Sequence, residues 1–280
     1  MKIKCIFFLL AALVFAVCYP VMLLLIGSFM GTDELAQNLR AVLTQSSSEY
    51  ASWSWLPLYP TLRSYVEVFF DKPEFFVMFW NSIKITGGVL AGQLLVGAPA
   101  AWAFAKYQFA CRKLLFAVYI IFMMLPFQVL MLPEYLVLNQ LRLIDTLWAV
   151  ILPGAFSTFP VFILYNFFRR TPDSLLEAAR LDGASEWQVF FYIGIPAGMP
   201  GILASLLLQF LEIWNLIEQP LTFFEKKTLW PLSLYLPTIS LENAGAALAA
   251  SIIALIPSML VFFAGQNHLK QGIAATAVKE

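Results

Sequence analysis

Long apolar runs without a single Asp, Glu, Lys or Arg alternate with short polar segments along the chain. The charge-free stretches are 5–32, 85–105, 114–133, 146–168, 187–211 and 243–269. A helix needs about 20 mostly apolar residues to cross a hydrocarbon core about 30 Å thick, because each residue rises about 1.5 Å. The pattern therefore predicts an all-α, polytopic membrane protein, a single transmembrane domain over residues 1–280. Its six spans are expected near 5–30, 77–103, 114–136, 147–168, 199–220 and 244–267. The neutral run 228–241 is shorter and carries Pro231 and Pro237, so it reads as interfacial or re-entrant.

The charges between the runs set the expected topology. Lys2 and Lys4 precede the first run, which continues too far for a signal peptide and lacks a clear cleavage site. It reads as a retained anchor with a cytoplasmic N-terminus. Six spans then place the C-terminus inside as well. Inner segments would hold Lys106, Arg112, Lys113, Arg169, Arg170, Arg180, Lys270 and Lys279. Outer ones would hold Arg40, Arg63, Lys72, Arg142, Lys226 and Lys227. The bias favours this orientation. Segment 31–74 becomes a large extracytoplasmic loop, and its Trp53, Trp55, Pro57, Tyr59 and Pro60 suit the membrane surface.

Composition removes several function classes. Hydrophobic residues make up 61% of the 280 and charged ones 12%, with zero formal net charge. A soluble domain carries about 25% charge, and no basic field exists to hold a nucleic acid. Cys5, Cys18 and Cys111 are odd in number and spaced for no zinc site, and His268 is the only histidine. No metal or catalytic constellation is expected. G-x-S-x-G, H-E-x-x-H and C-x-x-C do not occur. A membrane enzyme built on carboxylate pairs, or a secondary transporter using Lys84, Glu134 and Glu212 within the spans, stays open at this point.

The polar stretch 169–198 has its own grammar. Thr171-Pro172 can start a helix, or Ser174 and Glu177 can cap one three residues later. Asp182-Gly183 stops it, since glycine enters the left-handed region cheaply. Ser185 and Gln188 form a second capping-box spacing. Two short helices with a sharp break at Gly183 are predicted. Ala178 and Ala179 would let the first approach a partner's groove closely. A solvated connecting loop would satisfy the same local signals.

Glu177-Ala178-Ala179, Gly183 six residues after the glutamate, then Ile193 and Pro196 resemble the EAA motif of binding-protein-dependent ABC importer permeases. Ile195 departs from the usual Leu. Trp80-Asn81-Ser82, the run Ala101–Lys106, Pro126-Phe127-Gln128, Asp145-Thr146-Leu147, Trp214-Asn215 and the tail Gly272–Lys279 are similar to the carbohydrate-uptake branch, in particular the maltose-type second permease. The tail departs at Thr276 and Glu280. The resemblance implies a type I ABC importer permease fold in a bacterial-type plasma (inner) membrane. It implies 170–196 as a cytoplasmic coupling loop, with Glu177, Ala178, Ala179, Asp182, Gly183 and Ala184 seated against an ATPase. It implies as partners a second permease subunit, two cytoplasmic ATPase subunits that hold ATP and Mg, and an extracytoplasmic solute-binding protein. No cofactor is expected in this chain itself, which has no G-x-x-x-x-G-K-[ST]. The implied cargo is a sugar or oligosaccharide; a polyol, glycerol phosphate or polyuronate would use the same machinery.

Two patterns within the spans add detail. Ser205, Gln209, Glu212, Asn215 and Gln219 fall within an arc of about 120° if one helix carries them all at about 100° per residue. A carboxylate in hydrocarbon is costly unless it faces a partner helix or water. The stripe is expected to line the translocation route, with Asn215 and Gln219 nearest the sugar and Trp214, Phe210 and Phe223 available for stacking. Hydrogen bonding between helices is the competing reading. Gly88 and Gly92 form a small-xxx-small step suited to close helix packing.

Overall fold

The computed structural model describes residues 2–43, 56–235 and 244–277. Among them the regular structure is helical. We number the principal helices α1 (Lys2–Ser28), α2 (Thr32–Leu43), α3 (Pro73–Lys106), α4 (Arg112–Met124), α5 (Phe127–Gln140), α6 (Trp148–Ala155), α7 (Thr158–Phe168), α8 (Asp173–Leu181), α9 (Glu186–Trp214), α10 (Glu218–Phe223) and α11 (Ala244–Ala277). One π-turn, Gln93–Gly97, lies inside α3, and another, Phe190–Gly194, inside α9.

Among the described residues, five helical runs are long and apolar enough to cross a membrane, and the bent pair α4 and α5 would make a sixth if counted as one span. The five are Ile6–Ser28, Pro73–Lys106, Trp148–Phe168, Glu186–Trp214 and Ala244–Asn267. The expected third span, 114–136, is instead the bent pair α4 and α5, which meet at 107°. The bend has a local cause. Leu125 is extended, at ψ 128°, ahead of Pro126 at ψ 151°. A residue before proline is driven out of the helical region by the ring's Cδ. Span five differs too. Its helix begins at Glu186 rather than near 199 and ends at Trp214 rather than near 220. Within 31–74, α2 occupies the first part, with Asp33 and Glu34 in its first turn. The described part of 228–241 forms short 3-10 turns at Lys227–Leu229 and Leu232–Leu234. Trp53 and Trp55 lie outside the described residues, as do Lys279 and Glu280 of the tail; Thr276 is within α11.

The chain divides into two compact units. The first comprises residues 1–79 and 234–257. Here α1 exposes Phe7, Phe8, Leu9 and Val17. Such a bare apolar cylinder suits hydrocarbon, where every backbone group is satisfied within the helix. Ser28 Oγ and Tyr65 Oη share a hydrogen bond of 2.7 Å. Phe75 packs edge-on to Tyr235 with centroids 5.7 Å apart.

The second unit comprises 80–233 and 258–280. One core joins α3, α7, α8 and α9 through Ala101, Trp102, Leu164, Phe168, Leu176 and Phe190. Another joins Ile85, Val89, Val150, Ile151, Phe223 and Phe224. Glycine permits the closest approaches. A Cβ on Gly92 would stand 2.4 Å from Ala155 Cβ, and one on Gly88 3.0 Å from Ile151. The Gly88–Gly92 step is therefore a packing surface.

Candidate functional site

The polar segment after α7 folds as two helices around a sharp break. Pro172, extended at ψ 134°, precedes α8, so the helix starts at Asp173 and no side-chain cap forms at its N-terminus. The Ser174–Glu177 alternative is not the start. At the C-terminus Gly183 has φ +87°. Ala184 N–H donates to Ala179 O at 3.0 Å and Gly183 N–H to Arg180 O at 3.1 Å. These are the two bonds of a Schellman motif, which satisfies carbonyls the helix leaves open. Asp182 is the residue that closes the helix. Ser185 then caps α9. Gln188 N–H donates to Ser185 Oγ at 3.4 Å, and Ser185 N–H donates to Gln188 Oε1 at 2.8 Å.

The segment is fastened to its neighbours. Lys106 Nζ, at the end of α3, donates to Thr171 O at 2.5 Å and to Asp173 Oδ1 at 2.7 Å. That ammonium holds the Asp173 carboxyl below the ordinary carboxylate range. Arg180 grips Glu186 in bidentate fashion, Nε to Oε1 at 2.8 Å and Nη2 to Oε2 at 3.1 Å. Tyr107 Oη donates to Glu186 Oε2 at 2.7 Å. Leu176 is buried and Ala179 and Ala184 are half-buried, all against the unit's own core. One turn of an amphipathic helix puts 176 and 179 on the same side, so Ala179 packs against the unit's own core and leaves Ala178 as the exposed alanine of the pair. Glu177, Ala178 and Asp182 are exposed. So is Leu181, at 89%. The result is a rigid, outward-facing helix with an apolar tip.

A second site lies within the helices. A cavity of 640 Å³ is walled by α4, α5, α6 and α9 and lined in part by Glu134, Gln209, Glu212 and Gln219. A hydrogen-bonded relay forms its inner side. Gln93 Nε2 donates to Gly154 O at 3.0 Å and to Gln209 Oε1 at 2.8 Å. Gln209 Nε2 donates to Glu212 Oε2 at 2.9 Å. Gln93 was not among the residues singled out from sequence, although a glutamine inside an apolar run was a visible signal.

The stripe predicted on one helix is divided. Gln209 and Glu212 reach the cavity from α9. Gln219 also reaches it, but from α10, because α9 ends at Trp214 and Asn215 leaves the helix at φ −98°, ψ 9°. Continuation would set Pro220 four residues after Leu216, where its ring clashes with that carbonyl. Instead the Leu216 carbonyl accepts from Ser233 Oγ at 2.6 Å. Ser205 is buried away from the cavity, and Asn215 donates back to Leu211 O at 2.8 Å. Trp214 is buried and stacks on Phe210, centroids 5.5 Å apart at 11°, and Phe223 is buried against Phe127. Phe127 lines the cavity, whereas Phe210, Trp214 and Phe223 do not.

The other short motifs pin loops. Asn81 Nδ2 donates to Thr228 O at 2.8 Å, and Ser82 Oγ accepts from Leu232 N–H at 2.8 Å. Asp145, at φ +62°, accepts from the Glu225 and Lys226 N–H groups at 3.2 and 3.0 Å and pairs with Lys226 Nζ at 2.7 Å. These contacts lower its carboxyl pKa, the Lys226 side chain most of all.

Known proteins give a context for this geometry. The family described as "Binding-protein-dependent transport system inner membrane component" matches residues 93–275. The arabinooligosaccharides transport system permease protein AraQ of Halalkalibacterium halodurans is 28% identical over 272 residues, covering 96% of this chain and 94% of that protein. Protein LplC of Bacillus subtilis is 33% identical over 277 residues, with 93% and 88% covered. The lactose transport system permease protein LacG of Rhizobium radiobacter is 31% identical over 208 residues, with 73% and 76% covered. Among solved structures, a chain of a bacterial ABC transporter involved in the import of the acidic polysaccharide alginate superposes with a TM-score of 0.79. It is 21% identical and covers 95% of this chain and 96% of its own.

Proposed function

The chain belongs to the family of binding-protein-dependent transport system inner membrane components, and on that footing we propose that it is the membrane-spanning permease subunit of an ATP-driven importer for a sugar or oligosaccharide. The observation that carries the reading is similarity along nearly the whole chain to a permease named for arabino-oligosaccharides, joined by one named for lactose. The chain does no chemistry on its cargo. A second permease subunit completes the pathway, two cytoplasmic ATPase subunits bind ATP and Mg, and an external binding protein delivers the sugar. Both termini lie in the cytoplasm.

The coupling role belongs to α8. Its fastening by Lys106, Arg180 and Glu186 makes it a lever rather than a flexible loop. Glu177, Ala178 and Leu181 offer the exposed side to the ATPase. Closure of the ATPase pair around ATP would move this helix and, through Leu176 and the core it enters, α3, α7 and α9. The cavity at Glu134 and Glu212 forms part of the route. Among the described residues its lining carries two carboxylates and no Lys or Arg. With no cation there to pair a polyuronate's carboxylates, this lining favours a neutral saccharide.

Co-expression with the partner subunits tests the docking. The intact chain should purify with the ATPase, whereas Glu177→Lys or Ala178→Trp should release it while the protein stays inserted. Undiminished co-purification of both variants would contradict the role given to α8.

A further inference from the structure

At the end of the second unit that carries α8 there is a pocket for which the import cycle has no use. It has a volume of 820 Å³ and lies between the end of α3, the start of α4 and the end of α7. Arg112, Lys113 and Arg169 line it, with Phe104, Phe116 and Tyr165 as aromatic wall. Among the described residues no carboxylate is in its lining.

The three cations stand out from the others at this end. Lys106 pairs with Asp173, Arg180 with Glu186, and Arg170 lies over the Phe167 ring at 5.9 Å. Among the described residues Arg112, Lys113 and Arg169 enter no ion pair. Arg112 reaches only the Ala105 carbonyl, at 3.5 Å. Three like charges around one concavity repel each other unless an anion sits among them. The start of α4 adds to the field. Its cap residue, Cys111, makes no side-chain cap bond; the Arg112 N–H donates to the Phe109 carbonyl at 3.3 Å, which leaves the Lys113 and Leu114 N–H groups of that first turn for an external acceptor.

The surroundings identify the kind of anion. Arg169 follows the apolar run of α7 and Arg112 precedes that of α4, which sets the cations at the level where hydrocarbon gives way to headgroups. Phe116 and Tyr165 lie with centroids 4.2 Å apart, and Phe104 packs on Phe116 at 5.5 Å. A free inorganic anion has nothing to gain from that wall, whereas an amphiphile does. Basic pockets between membrane helices are suited to phosphate-bearing lipid headgroups. We propose that this pocket binds the phosphate of an anionic phospholipid, with Arg112, Lys113 and Arg169 around the phosphate and the acyl portion along Phe104 and Phe116. The site depends neither on the cargo nor on the docking of α8.

Native mass spectrometry of the full-length protein, titrated with phosphatidylglycerol or with phosphatidylcholine of the same acyl chains, tests it. The wild type should retain phosphatidylglycerol preferentially. Arg169→Gln should weaken retention about fivefold, and R112Q, K113Q and R169Q together about a hundredfold. The variant with R112K and R169K should keep it. Should the triple variant fail to fold, as judged by size exclusion, the exposed Arg169→Gln alone decides. Millimolar inorganic phosphate should not displace the lipid. Equal retention of the two lipids, wild-type retention by the Gln variants, or displacement by inorganic phosphate would each overturn the assignment.

Discussion

Gly183 holds φ +87°, and a Cβ built on it would have nothing within 4 Å. Its constraint is therefore conformational and not steric crowding. A residue with a Cβ pays about 1–2 kcal/mol in the left-handed region, and a β-branched one more. Gly183→Val should loosen the turn between α8 and α9 and uncouple transport from ATP hydrolysis, with membrane insertion unchanged. Gly183→Asn, which tolerates this region, should retain most transport. Uptake by the Val variant equal to wild type would show that the turn is not needed. This turn was readable from sequence because each signal is local: Gly183 ends one helix, and Ser185 with Gln188 starts the next. The inward orientation of Ala179 was not readable in the same way. The helical period places that residue beside Leu176, but which side of α8 meets the core holding Trp102 and Phe168 is decided by residues distant in sequence.

Helix packing makes a comparable demand along α3. A Cβ on Gly92 would overlap Ala155, whereas one on Gly87 would meet nothing within 4 Å. Gly92→Ala should lower the thermal unfolding midpoint of the purified protein, at a cost of about 1–3 kcal/mol for an overfilled contact. Gly87→Ala should leave it unchanged or raise it, since alanine favours helix by about 1 kcal/mol. Equal midpoints for the two variants would contradict the packing geometry. The cavity face of α9 can be tested with water-soluble thiol reagents in a background lacking Cys5, Cys18 and Cys111. Glu212→Cys and Gln219→Cys should label, and Ser205→Cys and Leu207→Cys, both buried, should not. Uniform labelling would remove the route from this face.

Helix breaks were the least legible feature of the chain. Pro20, Pro133, Pro153, Pro200 and Pro257 all sit inside helices, so proline alone does not mark a boundary. At Pro126 the chain bends by 107°, and Pro220 lies just beyond the end of α9. At the end of α9 a neighbouring segment supplies the partner for a carbonyl left open, Ser233 Oγ donating to Leu216 O. Ser233 is distant in sequence. For that reason the sequence pattern alone puts Ser205 to Gln219 on one helix, whereas α9 and α10 divide the stripe with Asn215 between them.

For the molecule as a whole, hydropathy located the apolar helices because a bilayer imposes a length that sequence records directly. Which residues share a site depends on where helices end and which face each helix turns to the cavity. Gln209, Glu212 and Gln219 meet at a cavity, while Ser205, Trp214 and Asn215 do not reach it. The most direct test of the whole account is uptake of labelled saccharide into proteoliposomes containing this chain, its partner permease, the ATPase and the binding protein. Accumulation should require both ATP inside the ATPase compartment and the binding protein. It should fall in Gly183→Val while ATP hydrolysis continues. Accumulation by this chain alone, driven by an ion gradient without ATP, would contradict the account and make it a secondary transporter.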